Sequence, residues 1–88
     1  MRTFDNAEDE YLQWVAAHPG GYVINAPKRR GDYADMLHRA SCGSITTRRQ
    51  SNYTTTTFKK LCSLDKRELV TWAERNSDDF RSCKLCKP

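Results

Sequence analysis

Four side chains have the types and spacing to hold a metal ion. Cys83 and Cys86 form a C-x2-C pair, in which a tight turn brings two thiolates to one tetrahedral ion, and His38 with Cys42 forms an H-x3-C pair. Together they supply one imidazole and three thiolates, a complete zinc set. A zinc site with every position taken by protein is structural, so the strongest chemical signal in the chain is a staple and names no reaction.

Two alternatives stand beside that reading. The four cysteines (Cys42, Cys62, Cys83 and Cys86) could pair as two disulfides. No apolar signal segment follows Met1, however, which points to a cytoplasmic, reducing setting and favours a metal. Cys62 is also a fifth candidate ligand, and five do not fit one tetrahedron. In Phe58-Lys59-Lys60-Leu61-Cys62-Ser63, strand alternation sets Phe58 and Cys62 on one face, and free cysteine is among the most often buried residue types. Cys62 therefore reads as core and His38 as ligand, in preference to an all-cysteine site.

The elements that must position these residues follow from periodicity. Ala7, Tyr11, Trp14, Val15 and His18 recur at helical spacing, with Asn6 as the expected N-cap and Glu8, Asp9 and Glu10 at the positive end of the dipole. This helix, over about 6–18, stops at Pro19-Gly20-Gly21. Tyr22-Val23-Ile24-Asn25 reads as a short strand, followed by the basic turn 26–32. Residues 33–38 read as a second strand, with Asp35 and Leu37 on one face and Ala34, Met36 and His38 on the other.

Residues 44–57 are rich in threonine, have only Ile45 and Tyr53 as apolar anchors, and read as a long loop of the kind that is often functional. Phe58 to Cys62 reads as a third strand. Asp65 then starts a second helix, with Glu68 placed for a capping box and Leu64 for a staple against Leu69. That helix leads into the C-x2-C pair. The expected fold is a small α+β domain spanning 1–88, with a three-stranded sheet and two helices stapled by one ion.

Composition agrees with a staple. Only 38% of the 88 residues are hydrophobic, so the core is modest and metal binding would add folding energy. There are 15 Lys and Arg against 11 Asp and Glu, a formal +4. That balance permits an anionic partner without demanding one. Three thiolates on Zn²⁺ leave a net negative site, so basic groups must bind away from it or overcome it. No run approaches the roughly 20 apolar residues of a membrane span.

The order Leu37-His38-x3-Cys42, then a strand, a helix and the tail Phe80-Arg81-Ser82-Cys83-Lys84-Leu85-Cys86-Lys87-Pro88, resembles the Ada-type metal-binding domain. That family is known from DNA alkylation-repair proteins and from zinc modules attached to nucleases. The resemblance covers about 33–88, with the tail as its specific part, and leaves 1–32 as a helix-strand extension. It implies one zinc held by His38, Cys42, Cys83 and Cys86, on a fold that sits on DNA, and Cys62 as a strand residue. In the repair proteins the first cysteine of a C-x3-C pair accepts a methyl group. Here that position is His38, and a zinc-bound imidazole lacks a thiolate's nucleophilicity, so methyl transfer by that route does not carry over.

The function expected is a non-catalytic nucleic-acid-binding module, DNA rather than RNA, accessory to a nuclease, restriction or repair system. Its candidate phosphate contacts are Lys28, Arg29, Arg30, Arg39, Arg48, Arg49, Lys59 and Lys60. The alternative is a protein-interaction module or small phage or bacterial regulator, using Tyr11, Trp14, Tyr22 or Trp72 as anchors. No spaced pair of acids or free histidine suggests catalysis, and neither a membrane nor a small-molecule substrate is expected.

Overall fold

The computed structural model describes residues 1–31, 33–45 and 52–88. The elements run β1 (Arg2–Phe4), α1 (Glu8–Ala17), β2 (Tyr22–Pro27), β3 (Asp35–Arg39), β4 (Phe58–Ser63), α2 (Lys66–Asn76) and β5 (Phe80–Ser82). The α+β class stands, but the sheet has five strands where three were expected, in the order β1-β4-β2-β3-β5. The three central strands pair antiparallel, through Val23↔Cys62 and Val23↔His38. The two additional strands are three-residue edges. β1 pairs antiparallel with β4 and β5 runs parallel to β3. Three residues are too few to display an alternation, so neither edge had a periodic signal.

The sheet separates two apolar clusters. One face gathers Phe4, Tyr11, Val15, Val23, Cys62 and the cysteines Cys42 and Cys83, so α1 and the candidate metal ligands share a layer. The other gathers Ile24, Ala26, Leu37, Leu61, Leu69 and Ala73, which places α2 on the opposite side. Alternation along β3 and β4 thus sorts the residues as expected: Leu37 faces α2, while His38 and Met36 lie toward α1.

The start of α1 differs from the expected one, and that of α2 keeps its cap but not its capping box or staple. Asn6 does not cap α1; it takes a left-handed φ of 54°, which asparagine tolerates, and Ala7 occupies the cap position. The Ala7 N–H donates instead to Thr54 Oγ1 at 2.9 Å, so residues distant in sequence do the capping. In α2 Asp65 caps as expected, accepting from the Arg67 N–H at 2.9 Å. Glu68 does not complete a capping box, because it pairs with the amino terminus of Met1 at 2.5 Å and the Asp65 N–H goes to Ser63 Oγ. Leu64 is 63% exposed and forms no staple.

Between α1 and β2 the chain must turn tightly. A Cβ on Gly21 would sit 2.6 Å from the Trp14 ring and 3.2 and 3.3 Å from the backbone oxygens of His18 and Ser63, so only glycine fits there. This close approach lets the Gly21 carbonyl accept from the Ala40 N–H at 2.9 Å, at the same sheet end as the candidate ligands. Ile45, Tyr53 and Thr54 are all buried, so the described parts of the 44–57 segment are anchored in the core.

Candidate metal centre and basic cleft

The β3–β5 pairing brings the two ligand pairs together. His38 lies on β3 and Cys42 on the turn that follows, closed by the Cys42 N–H donating to the Arg39 carbonyl at 3.0 Å. The parallel register Leu37↔Ser82 delivers Cys83 to the same end, where its N–H donates to the Leu37 carbonyl at 2.9 Å. The C-x2-C turn closes with the Lys87 N–H on the Cys83 carbonyl at 3.1 Å.

One ligand atom from each of His38, Cys42, Cys83 and Cys86 lies within 4.8 Å of all the others, so the four could hold a metal ion. The Cys42 and Cys83 sulfurs are 3.9 Å apart. Tetrahedral zinc with its usual sulfur distance requires about 3.8 Å. Cys62 is fully buried and outside this group, and burial pushes its thiol up to about 12.

The donor chemistry fits a cation. Burial, with the Lys60 charge as a lesser cause, pushes His38 down to about 4, so the imidazole is neutral, as a ligand must be. Among the described residues its buried Nδ1 has no hydrogen-bond partner, a cost that coordination through that nitrogen would remove. Burial opposes ionisation of Cys83, yet the backbone N–H groups of Cys86 and Leu85 and the Ser44 hydroxyl outweigh it and lower the thiol's pKa. Burial and the neighbouring thiols of Cys42 and Cys83 raise Cys86. Crowded thiols that resist ionising together are the charge pattern a bound cation relieves.

The sequence-derived basic residues divide. Arg48 and Arg49 lie outside the described residues. Arg39 is committed to the C-x2-C turn: Nε donates to the Cys86 carbonyl at 3.0 Å and a terminal nitrogen to the Lys87 carbonyl at 3.2 Å. Lys59 and Lys60 are no cluster, because alternation places them on opposite faces of β4 and Lys60 is buried. Lys28 pairs with Asp5 at 2.7 Å and donates to Asn6. Arg29 and Arg30 are exposed and have no side-chain ion pair with another described residue.

Lys28, Arg30, Lys59 and Arg81 nonetheless meet, together with Tyr33 and Trp72, around a cleft of about 370 Å³ on the α2 side. It lies at the sheet end marked by Pro27↔Phe58 and Asp35↔Phe80, away from the thiols. Three acids share its walls. Asp79 is held by Arg81 and Asp35 accepts from Ser77, which leaves Asp78 exposed. Arg81 was missed because the sequence places it far from the basic turn and only the β3–β5 pairing brings it there, whereas Tyr33 adjoins that turn and reads from sequence as part of a strand.

Tyr11 is fully buried and Trp14, Tyr22 and Trp72 are half-buried, so the expected interface anchors are mainly core. No helix of the described residues is long and apolar enough to cross a membrane. No protein-family model, curated protein or solved structure matches the chain.

Proposed function

We propose that the chain is a non-catalytic nucleic-acid-binding module of Ada-like type, stapled by one structural zinc and bound to DNA through its phosphates. The observation that carries the reading is that Arg30 and Lys59, which have no ion pair with another described residue, meet Lys28 and Arg81, whose charges are shared with Asp5 and Asp79, around one cleft at the sheet end away from the thiol cluster. A negative zinc–thiolate centre repels phosphate, and separating it from the cations removes that conflict. Tyr33, 60% exposed, and the half-buried Trp72 offer ring faces beside the cations, an arrangement suited to unpaired as well as paired strands. Zinc is the ion of choice because a thiolate-rich, four-donor set selects it over oxygen-loving cations. His38, Cys42, Cys83 and Cys86 would hold it, and its contribution is folding energy.

The test is fluorescence anisotropy of a labelled duplex and a labelled single strand titrated with the zinc-loaded protein across a salt series. Phosphate contacts predict affinity that falls steeply with salt, and Arg30→Ala with Lys59→Ala should weaken binding and reduce the salt slope by roughly 1 per lost contact. Binding that ignores salt, or none at low salt, contradicts the reading and favours a protein partner.

A further inference from the structure

The α1 side of the sheet holds a second cleft of about 340 Å³, lined by Asn25, His38, Thr56, Thr57, Phe58 and Lys60 among others. Lys60 is only 4% exposed, a rare setting for a lysine. Its ammonium donates to Asn25 Oδ1 and lies 5.8 and 5.6 Å from the ring centroids of Tyr11 and Phe58. Among the described residues no carboxylate is within ion-pairing distance of it. Glu8 contributes field from farther away, but its oxygens already receive the N–H groups of Tyr53 and Thr54 and the Thr54 hydroxyl. An ammonium has three donors, and one hydrogen bond with two ring faces leaves the buried charge without a paired carboxylate among the described residues.

We infer that this cleft is a binding site for a phosphoryl group, with Lys60 as its counter-ion. The donors left on Lys60 suit an anion with several oxygens, and Thr56 and Thr57 on the cleft walls carry hydroxyls that could add to them. Phe58 supplies an aromatic wall for a base attached to that group, and the volume lies in the range of small-ligand sites. The same chemistry comes from two sources, a free mononucleotide or the terminal phosphate of a strand. The site opens on the other face of the sheet from the basic cleft, the two meeting where the Tyr33 and Phe58 rings pack at 5.2 Å, and it borders the candidate metal centre through His38 and Ser44, so Lys60 has to overcome the negative charge of that centre. The low basicity of Lys60, pushed down to about 8 chiefly by burial, agrees with a cation that lacks its partner.

The experiment uses the zinc-loaded protein, titrated with inorganic phosphate, AMP, adenosine, acetate, and a short single strand with and without a 5′-phosphate, followed by calorimetry and amide NMR shifts. AMP and phosphate should bind with shifts at Asn25, Thr57, Phe58 and Lys60, and adenosine should bind about tenfold or more weaker. Lys60→Met should abolish the AMP complex and Lys60→Arg should retain part of it. A preference for AMP over the phosphorylated strand identifies the free nucleotide as source, and the opposite preference identifies the strand end. Equal binding of AMP and adenosine, displacement by acetate, or shifts confined to Lys28, Arg30 and Lys59 would overturn the site. So would a Lys60→Met protein that binds AMP unchanged, or one that sheds zinc, since the lysine would then serve the metal centre. The wild-type shifts decide the matter even if that variant folds poorly.

Discussion

Arg39 grips the turn that carries Cys86 from three directions. Its backbone N–H donates to Cys86 Sγ at 3.2 Å, and its guanidinium donates to the carbonyls of Cys86 at 3.0 Å and Lys87 at 3.2 Å. An arginine that reads from sequence as a phosphate contact here spends these donors on the turn of a candidate ligand. Arg39→Ala should keep the fold and reduce zinc affinity by about 10- to 100-fold, as loss of an outer-shell partner commonly does. Competition with a chromophoric chelator measures it, and unchanged affinity would remove Arg39 from the centre.

Glu8 ties the start of α1 to residues 53 and 54. It accepts from the Tyr53 N–H at 2.9 Å, from the Thr54 hydroxyl at 2.8 Å and from the Thr54 N–H. Burial works to raise its pKa, but these bonds together hold the carboxyl below its ordinary value of 4.5. A depressed carboxyl contributes stability that is fully present above 4.5 and is lost as pH falls through the folded value, because the unfolded chain then binds more protons. Glu8→Gln should cost about 1 kcal/mol at neutral pH, allowing for solvent screening. It should also flatten the part of the acid limb below 4.5 relative to wild type, and identical acid limbs in thermal melts would contradict this.

Lys60 should cost the protein stability at neutral pH. Burial lowers it from 10.5 to about 8, so between those values the unfolded chain binds more protons than the folded one and stability rises with pH. The penalty below pH 8 is on the order of 3 kcal/mol. Lys60→Met, which keeps the stem and drops the charge, should therefore stabilise by about 1 to 3 kcal/mol at pH 7, raising Tm by several degrees, and should lose the rise between pH 8 and 10.5. A destabilised Lys60→Met protein would make the lysine structural. A stabilised one fits a residue kept for binding at a cost in stability.

The candidate ligand set was legible because it rests on local spacing: two short-range pairs, each fixed by its own turn. The faces of β3 and β4 were legible for a similar reason, since alternation in a half-buried strand leaves one register. What escaped depended on partners distant in sequence. β5 exists because Leu37 and Ser82 pair in parallel, and nothing local in Phe80-Arg81-Ser82 announces it. The cap of α1 comes from Thr54, so Asn6, a good cap by type, was free to take a left-handed turn instead. Lys59 and Lys60 could have been told apart in the same way, since the alternation that places Cys62 in the core also sets these two lysines on opposite faces.

The claim on which the account turns is that His38, Cys42, Cys83 and Cys86 hold one ion while Cys62 is core. Native mass spectrometry of the wild type, His38→Ala and Cys62→Ser, each purified with zinc present, tests it most directly. The account predicts one zinc on the wild type and on Cys62→Ser, and its loss or marked weakening in His38→Ala. Zinc kept by His38→Ala but lost from Cys62→Ser would contradict the ligand set, and a metal-free chain lacking its thiol hydrogens would replace the staple with disulfides.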